Sequence, residues 1–221
     1  QRISGPTTDN LIAQWSSFFQ EYEKPDFVKV DNAAATIGST SGKRNVSRAM
    51  IFLFENHICP IFAVPRKPFS QASIEGNNSV FAKKFWNTRE FRSVEDVDQQ
   101  VEWFNDASIR YSEYEPPEGQ CRFDEKSHSV FKPKAYFLRQ VRDDGASGET
   151  EPSINVLNQT IILEDDYLNL FVLGEWDLNE ELLTIYLEKD KVSEPIKSIN
   201  FPISKPSKEK FPPGGALSSC I

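Results

Sequence analysis

Apolar residues recur at Leu11, Ile12, Trp15, Phe18 and Phe19, positions i, i+1, i+4, i+7 and i+8, which form one stripe of an amphipathic helix. Thr7-Thr8-Asp9 offers N-cap chemistry ahead of that stripe, and the helix is expected to end near Glu21. Pro25-Asp26 breaks the pattern, and Phe27 to Val30 reads as a short strand. Residues 33–43 form a small-residue loop containing Gly38 and Gly42. Over residues 44–56 the positions of Val46, Met50, Ile51, Leu53 and Phe54 predict a buried helix. Residues 58–64 are apolar apart from Pro60, so the pattern predicts a strand at a sheet edge or with a bulge, because proline cannot donate to a ladder.

Pro65 and Pro68 stiffen a basic loop, after which a helix is expected from Ser73 to Trp86 with Ile74, Phe81 and Phe85 on its buried side. Ser93-x-x-Asp96 resembles a capping box, and Val94, Val97, Val101, Phe104 and Ser108 then step by 3, 4, 3 and 4 residues, a helical spacing. Residues 113–133 read as a polar, acidic linker broken by Pro116-Pro117-Glu118-Gly119. Short β-rich segments follow at 135–141, 154–163, 170–176, 182–187 and 196–203, with turn residues at Gly145, Gly148, Asn158 and Asp177-Leu178-Asn179. That spacing predicts a small closed β-barrel over residues 134–203. The stretch 204–221 is rich in Lys, Ser, Pro and Gly and is expected to be a disordered tail. The expected organisation is thus an α/β unit over 1–112, a linker, a barrel and a tail.

The chain has 221 residues, 38% of them hydrophobic and 12% aromatic, which supplies a real core and excludes wholesale disorder. No apolar run approaches the roughly 20 residues needed to span a bilayer. The polar opening at Gln1 shows no secretory leader, and a start without Met is read as a fragment. Cys59, Cys121 and Cys220 form no C-x-x-C pair, and His57 and His128 do not complete a zinc site, so a reducing cytoplasm is expected. The net charge of -8 argues against nucleic-acid binding only as a single number. Residues 1–112 hold 13 basic and 13 acidic groups, and residues 113–221 carry the remaining 12 and 20, hence the whole excess. Within 43–92, nine Lys and Arg face only Glu55, Glu75 and Glu90, and phosphate affinity follows such local excess.

Two carboxylates stand out, one shortly before that region and one within it. Asp31 closes the strand at Val30, and Glu75 opens the helix predicted after the basic loop. A loop, a helix and a strand lie between them, enough to return the chain beside its own strand. Phosphodiester cleavage and strand transfer need an activated oxygen nucleophile and a stabilised leaving oxygen, which two Mg²⁺ ions about 3.5–4 Å apart supply. Mg²⁺ takes hard oxygen ligands, and Asp31 and Glu75 fit in type. The plain alternative is open for both: a strand-end Asp is common, and a Glu near a helix start is favoured by the dipole.

The wording around these residues resembles the second half of the catalytic core of a DDE transposase or retroviral-type integrase. It is carried by Val30-Asp31-Asn32-Ala33, by the run from Ile58 through Pro65-Arg66-Lys67-Pro68, Gln71 and Glu75 to Phe81, and by Phe85-Trp86. Trp103-Phe104-Asn105 is similar to the family's closing helix, and residues 134–203 resemble the small β-barrel after the core of many bacterial transposases.

The resemblance implies an RNase H-like α/β core followed by a barrel, with Asp31 and Glu75 as catalytic ligands of Mg²⁺ or Mn²⁺, two ions in the complete enzyme. It implies mobile-element ends and target DNA as partners, a homo-oligomer and no membrane. Arg66 and Lys67 would clamp the DNA backbone, Lys83 would hold a phosphate from the helix face of Glu75, and Gln71 and Asn78 would neighbour the bound end. A solvated helix surface is the alternative for Lys83, as is a bond within its own loop for Gln71. Trp15, Trp86 and Trp103 are expected in the core, and Glu164-Asp165-Asp166 in a solvated turn. Two departures stand out: Asn32 is followed by Ala33 instead of the usual Gly, and the family's first Asp has no match. The expectation is therefore an N-terminally truncated core with two of three metal ligands. The rival readings are a non-catalytic DNA-binding or regulatory remnant and a structural protein-interaction domain.

Overall fold

The computed structural model describes residues 5, 7–38, 42–67, 72–111, 131–145 and 151–204, and it is mixed α/β. In chain order the elements are α1 (Thr8–Glu21), β1 (Phe27–Val30), α2 (Ala34–Ile37), α3 (Arg48–Glu55), β2 (Cys59–Phe62), α4 (Ala72–Lys84) and α5 (Val94–Tyr111). Then come β3 (Lys134–Gln140), β4 (Arg142–Asp143), β5 (Pro152–Val156), β6 (Gln159–Ile162), β7 (Phe171–Asp177), β8 (Leu182–Lys189) and β9 (Val192–Asn200). The chain divides into two compact units, residues 1–66 with 130–221, and residues 67–129. Most of the expected linker and tail, at 112–130 and 205–221, lies outside the described residues.

The first unit is built on a six-stranded sheet in the order β1-β2-β3-β7-β8-β9. Its first three strands run parallel, and β3, β7, β8 and β9 pair antiparallel. β4, β5 and β6 form a separate antiparallel sheet. The strands expected to close a barrel of their own thus divide between two sheets, four of them extending the sheet begun by β1 and β2. The join is apolar: Phe62 of β2 stacks on Phe137 of β3 at 5.0 Å, a contact worth about 0.5–1.5 kcal/mol beyond its burial. One core draws Val30, Met50, Phe54 and Phe62 together with Phe137, Trp176, Leu183 and Phe201.

β2 is an interior strand, against the expectation of an edge or bulge. Pro60 is tolerated there because of the direction its nitrogen faces. The amides of Cys59 and Ala63 donate toward β1, to the carbonyls of Asp26 and Val30. Alternation turns the Pro60 nitrogen toward β3, whose ladder with β2 begins only at Ile61. The helix expected over 44–56 starts at Arg48. Arg44 has φ 54°, which no helix accepts, and the Ser47 hydroxyl caps the helix by accepting the Met50 amide at 3.1 Å. α1 begins where its Thr7 cap predicts, and Trp15 and Phe19 stack on Phe52 of α3 at 6.3 and 6.4 Å.

The second unit holds α4 and α5. Phe85 is fully buried among Phe81, Phe91 and Phe104. Ser93 accepts the Asp96 amide at 3.2 Å, while the Asp96 carboxylate reaches back to the Arg92 amide at 3.0 Å, one residue beyond the box predicted. Trp86 and Trp103 are 48% and 62% exposed, so they are surface residues and not core. Phe81, Phe85 and Phe104 already fill the interior, and Trp103, one position from Phe104, turns about 100° away and carries the Arg89 guanidinium at 4.8 Å. Among the described residues no helix is long and apolar enough to cross a membrane.

Candidate functional site

Asp31 follows the carboxyl end of β1 and is exposed. Its Oδ1 accepts the Ala33 amide at 3.1 Å and lies 3.3 Å from the Thr36 hydroxyl, an Asx-type turn that leads into α2. That hydroxyl also reaches the carbonyls of Asp31 and Ala33 at 2.9 and 2.8 Å. One carboxylate oxygen, Oδ1, is thereby engaged by the local turn, through one backbone amide and one hydroxyl.

The neighbouring Asn32 side chain is gripped at both ends. Its Nδ2 donates to the Ala63 carbonyl, just past β2, at 2.6 Å. Its Oδ1 accepts from Nη2 of Arg139, on β3, at 3.0 Å. Nη1 of Arg139 donates in turn to the Ala63 carbonyl at 3.1 Å and to the Leu138 carbonyl at 2.8 Å, and Nε donates to Asn155 of β5 at 2.7 Å. The guanidinium lies 5.3 Å from the Phe137 ring centroid, and the residue is only 4% exposed.

Burial pushes the Arg139 pKa down to about 10, which leaves the group a cation at neutral pH. Among the described residues no carboxylate forms an ion pair with it. A buried cation held only by neutral oxygens keeps its positive field beside the Asp31-Asn32 corner. Sequence reasoning passed over Arg139, although a signal existed: in Ala135, Phe137, Arg139, alternate positions of one buried strand face, the last is charged.

The other predicted residues fall in both units. Arg66 is exposed in the turn after β2, with φ 56°, and belongs with Asp31 to the first unit. Lys67, Glu75, Asn78 and Lys83 belong to the second, and Gln71 lies outside the described residues. Glu75, Asn78 and Lys83 are exposed on α4, with Glu75 in its first turn and Lys83 in its last, both favoured by the helix dipole. Glu164, Asp165 and Asp166 are exposed in a short 3₁₀ turn, as expected of a solvated segment.

The donor chemistry of Asp31 and Glu75, hard carboxylate oxygen, suits Mg²⁺ in kind. It does not suit it in number: among the described residues no three His, Cys, Asp or Glu side chains gather as a metal site. Among the described residues Cys59 is a buried free thiol whose pKa is pushed up by burial, so it is held protonated. No family model matches the chain, and no curated protein matches it.

Proposed function

We propose that the chain is part of an RNase H-like DNA-joining enzyme, acting in integration or transposition by metal-dependent phosphodiester cleavage and strand transfer. The observation that carries the reading is the parallel pair β1 and β2. Asp31 follows the carboxyl end of β1, and the crossover through α3 returns the chain to the adjacent parallel strand. Open α/β sheets bind ligands outside the carboxyl ends of such strands. The basic excess over residues 43–92 supports a phosphate-rich partner. In this reading Asp31 and Glu75 hold Mg²⁺ or Mn²⁺, which would polarise the scissile phosphate, and Arg66, Lys67, Gln71, Asn78 and Lys83 hold the DNA backbone.

One observation favours a second reading. The Asp31 carboxylate already serves its own turn through Ala33 and Thr36, a role that needs no metal and so favours a non-catalytic DNA-binding or regulatory remnant. Mn²⁺ titration followed by electron paramagnetic resonance, with duplex DNA present, separates the two. The enzyme reading expects saturable Mn²⁺ binding that Asp31→Asn and Glu75→Gln each weaken. DNA retention without Mn²⁺ binding supports the second reading, and neither property at low salt ends both. With only two carboxylates of the family's three, residues 1–221 alone are expected to be inactive in strand transfer. Plasmid nicking by this chain that Asp31→Asn stops would overturn that ligand count.

A further inference from the structure

We infer that Arg139 is a positioning residue for the Asp31 corner, holding the carboxylate in one orientation by clamping Asn32 against Ala63; this rests on the reading of Asp31 as a functional carboxylate. Three hydrogen bonds close a ring: Arg139 Nη2 to Asn32 Oδ1, Asn32 Nδ2 to the Ala63 carbonyl, and Arg139 Nη1 to the same carbonyl. The ring joins the segments that leave β1 and β2 to strand β3. Nε anchors the guanidinium to Asn155 of β5, so its plane is set from a second sheet. Asp31 is the residue before Asn32, and its Oδ1 is set from the other side by Ala33 and Thr36. With both flanks fixed, Oδ2 has one direction in which to point.

Apolar packing alone does not call for an arginine here. Taking a cation out of water is costly, and the cost is offset here only by the oxygens its donors reach. A planar fork is what the position uses: its donors reach two backbone segments and an amide side chain at once, which a lysine ammonium on a flexible stem cannot reproduce. The strand carrying Arg139 therefore completes the corner that bears Asp31.

The test compares the full chain with Arg139→Lys, Arg139→Met and Asn32→Ala by amide hydrogen exchange and by Mn²⁺ titration. The Ala33 amide is protected by the Asp31 carboxylate itself, so its exchange reports where that carboxylate sits. In all three variants exchange at Ala33 and Thr36 is expected to rise by about tenfold or more, and by more than in β7 and β8, which report any loss of stability of the whole unit. Arg139→Lys, which keeps charge without the fork, should not rescue it. Should the Arg139 variants unfold, Asn32→Ala, which leaves the guanidinium in place, carries the test. A uniform rise across the sheet, no rise at Ala33, or full rescue by lysine would overturn the positioning role. Local loosening in a chain whose wild type binds no Mn²⁺ upholds the clamp and removes the metal reading instead.

Discussion

Asn32 and Arg139 stand 107 residues apart in the chain, yet the arginine donates to the asparagine side chain at 3.0 Å. That contact brings the end of the first strand under the control of a strand encoded after the whole second unit. It exists because β3 adds parallel to β2 and runs on past Phe137, so that Arg139, two residues later on the same face, reaches the segments beyond β1 and β2. A buried guanidinium satisfied by neutral oxygens holds those segments together while keeping its charge.

Arg139→Ala is expected to destabilise the first unit by about 2–4 kcal/mol, because it leaves the Asn32, Ala63 and Asn155 oxygens short of donors in a buried setting and opens a void. Urea denaturation checks this. A loss below about 0.5 kcal/mol would show that water replaces the guanidinium at no cost.

Gly38→Ala should cost about 1–3 kcal/mol. Gly38 has φ +85°, and an added Cβ would lie 2.9 Å from Cβ of Ser47, the residue that caps α3. Thermal unfolding of the variant, compared with an alanine substitution at the open Gly76, isolates the effect.

Acid should loosen the turn closed by β4 and β5. The Asp143 carboxylate accepts the Gly145 and Glu151 amides, both at 3.0 Å, and these bonds hold its pKa below the ordinary 3.8. A depressed carboxylate contributes stability that is fully present above the ordinary value and is lost as pH falls through the lower, folded-state value. Asp143→Asn should therefore lose stability at pH 7 and show a flatter acid limb. Parallel limbs in the two proteins would remove the assignment.

The proposed DNA affinity should fall steeply with salt. Replacing both Arg66 and Lys67 by Gln is expected to make the slope of log K against log salt shallower by about 1 per cation removed. Fluorescence anisotropy with a labelled duplex at several salt concentrations measures it, and an unchanged slope places the contacts elsewhere.

Local patterning was enough to locate α1, β1, α4 and α5, since caps and apolar spacing are properties of consecutive residues: Thr7 before Leu11, Phe27 to Val30, Ser93 before Val94. Asp31 at a strand end was legible for the same reason. Periodicity also marked the inward faces of β3 and β7, but it carries no information about which strand lies beside which. Backbone hydrogen bonds are alike along every edge, so only the packing of Phe62 on Phe137 and its neighbours decided that β3 joins β2 instead of closing a barrel. That choice of partner put Arg139 against Asn32 and Ala63. In the same way, Trp103 carries the apolar character of a core residue, and its exposure was decided by the three phenylalanines that had already filled the space between α4 and α5.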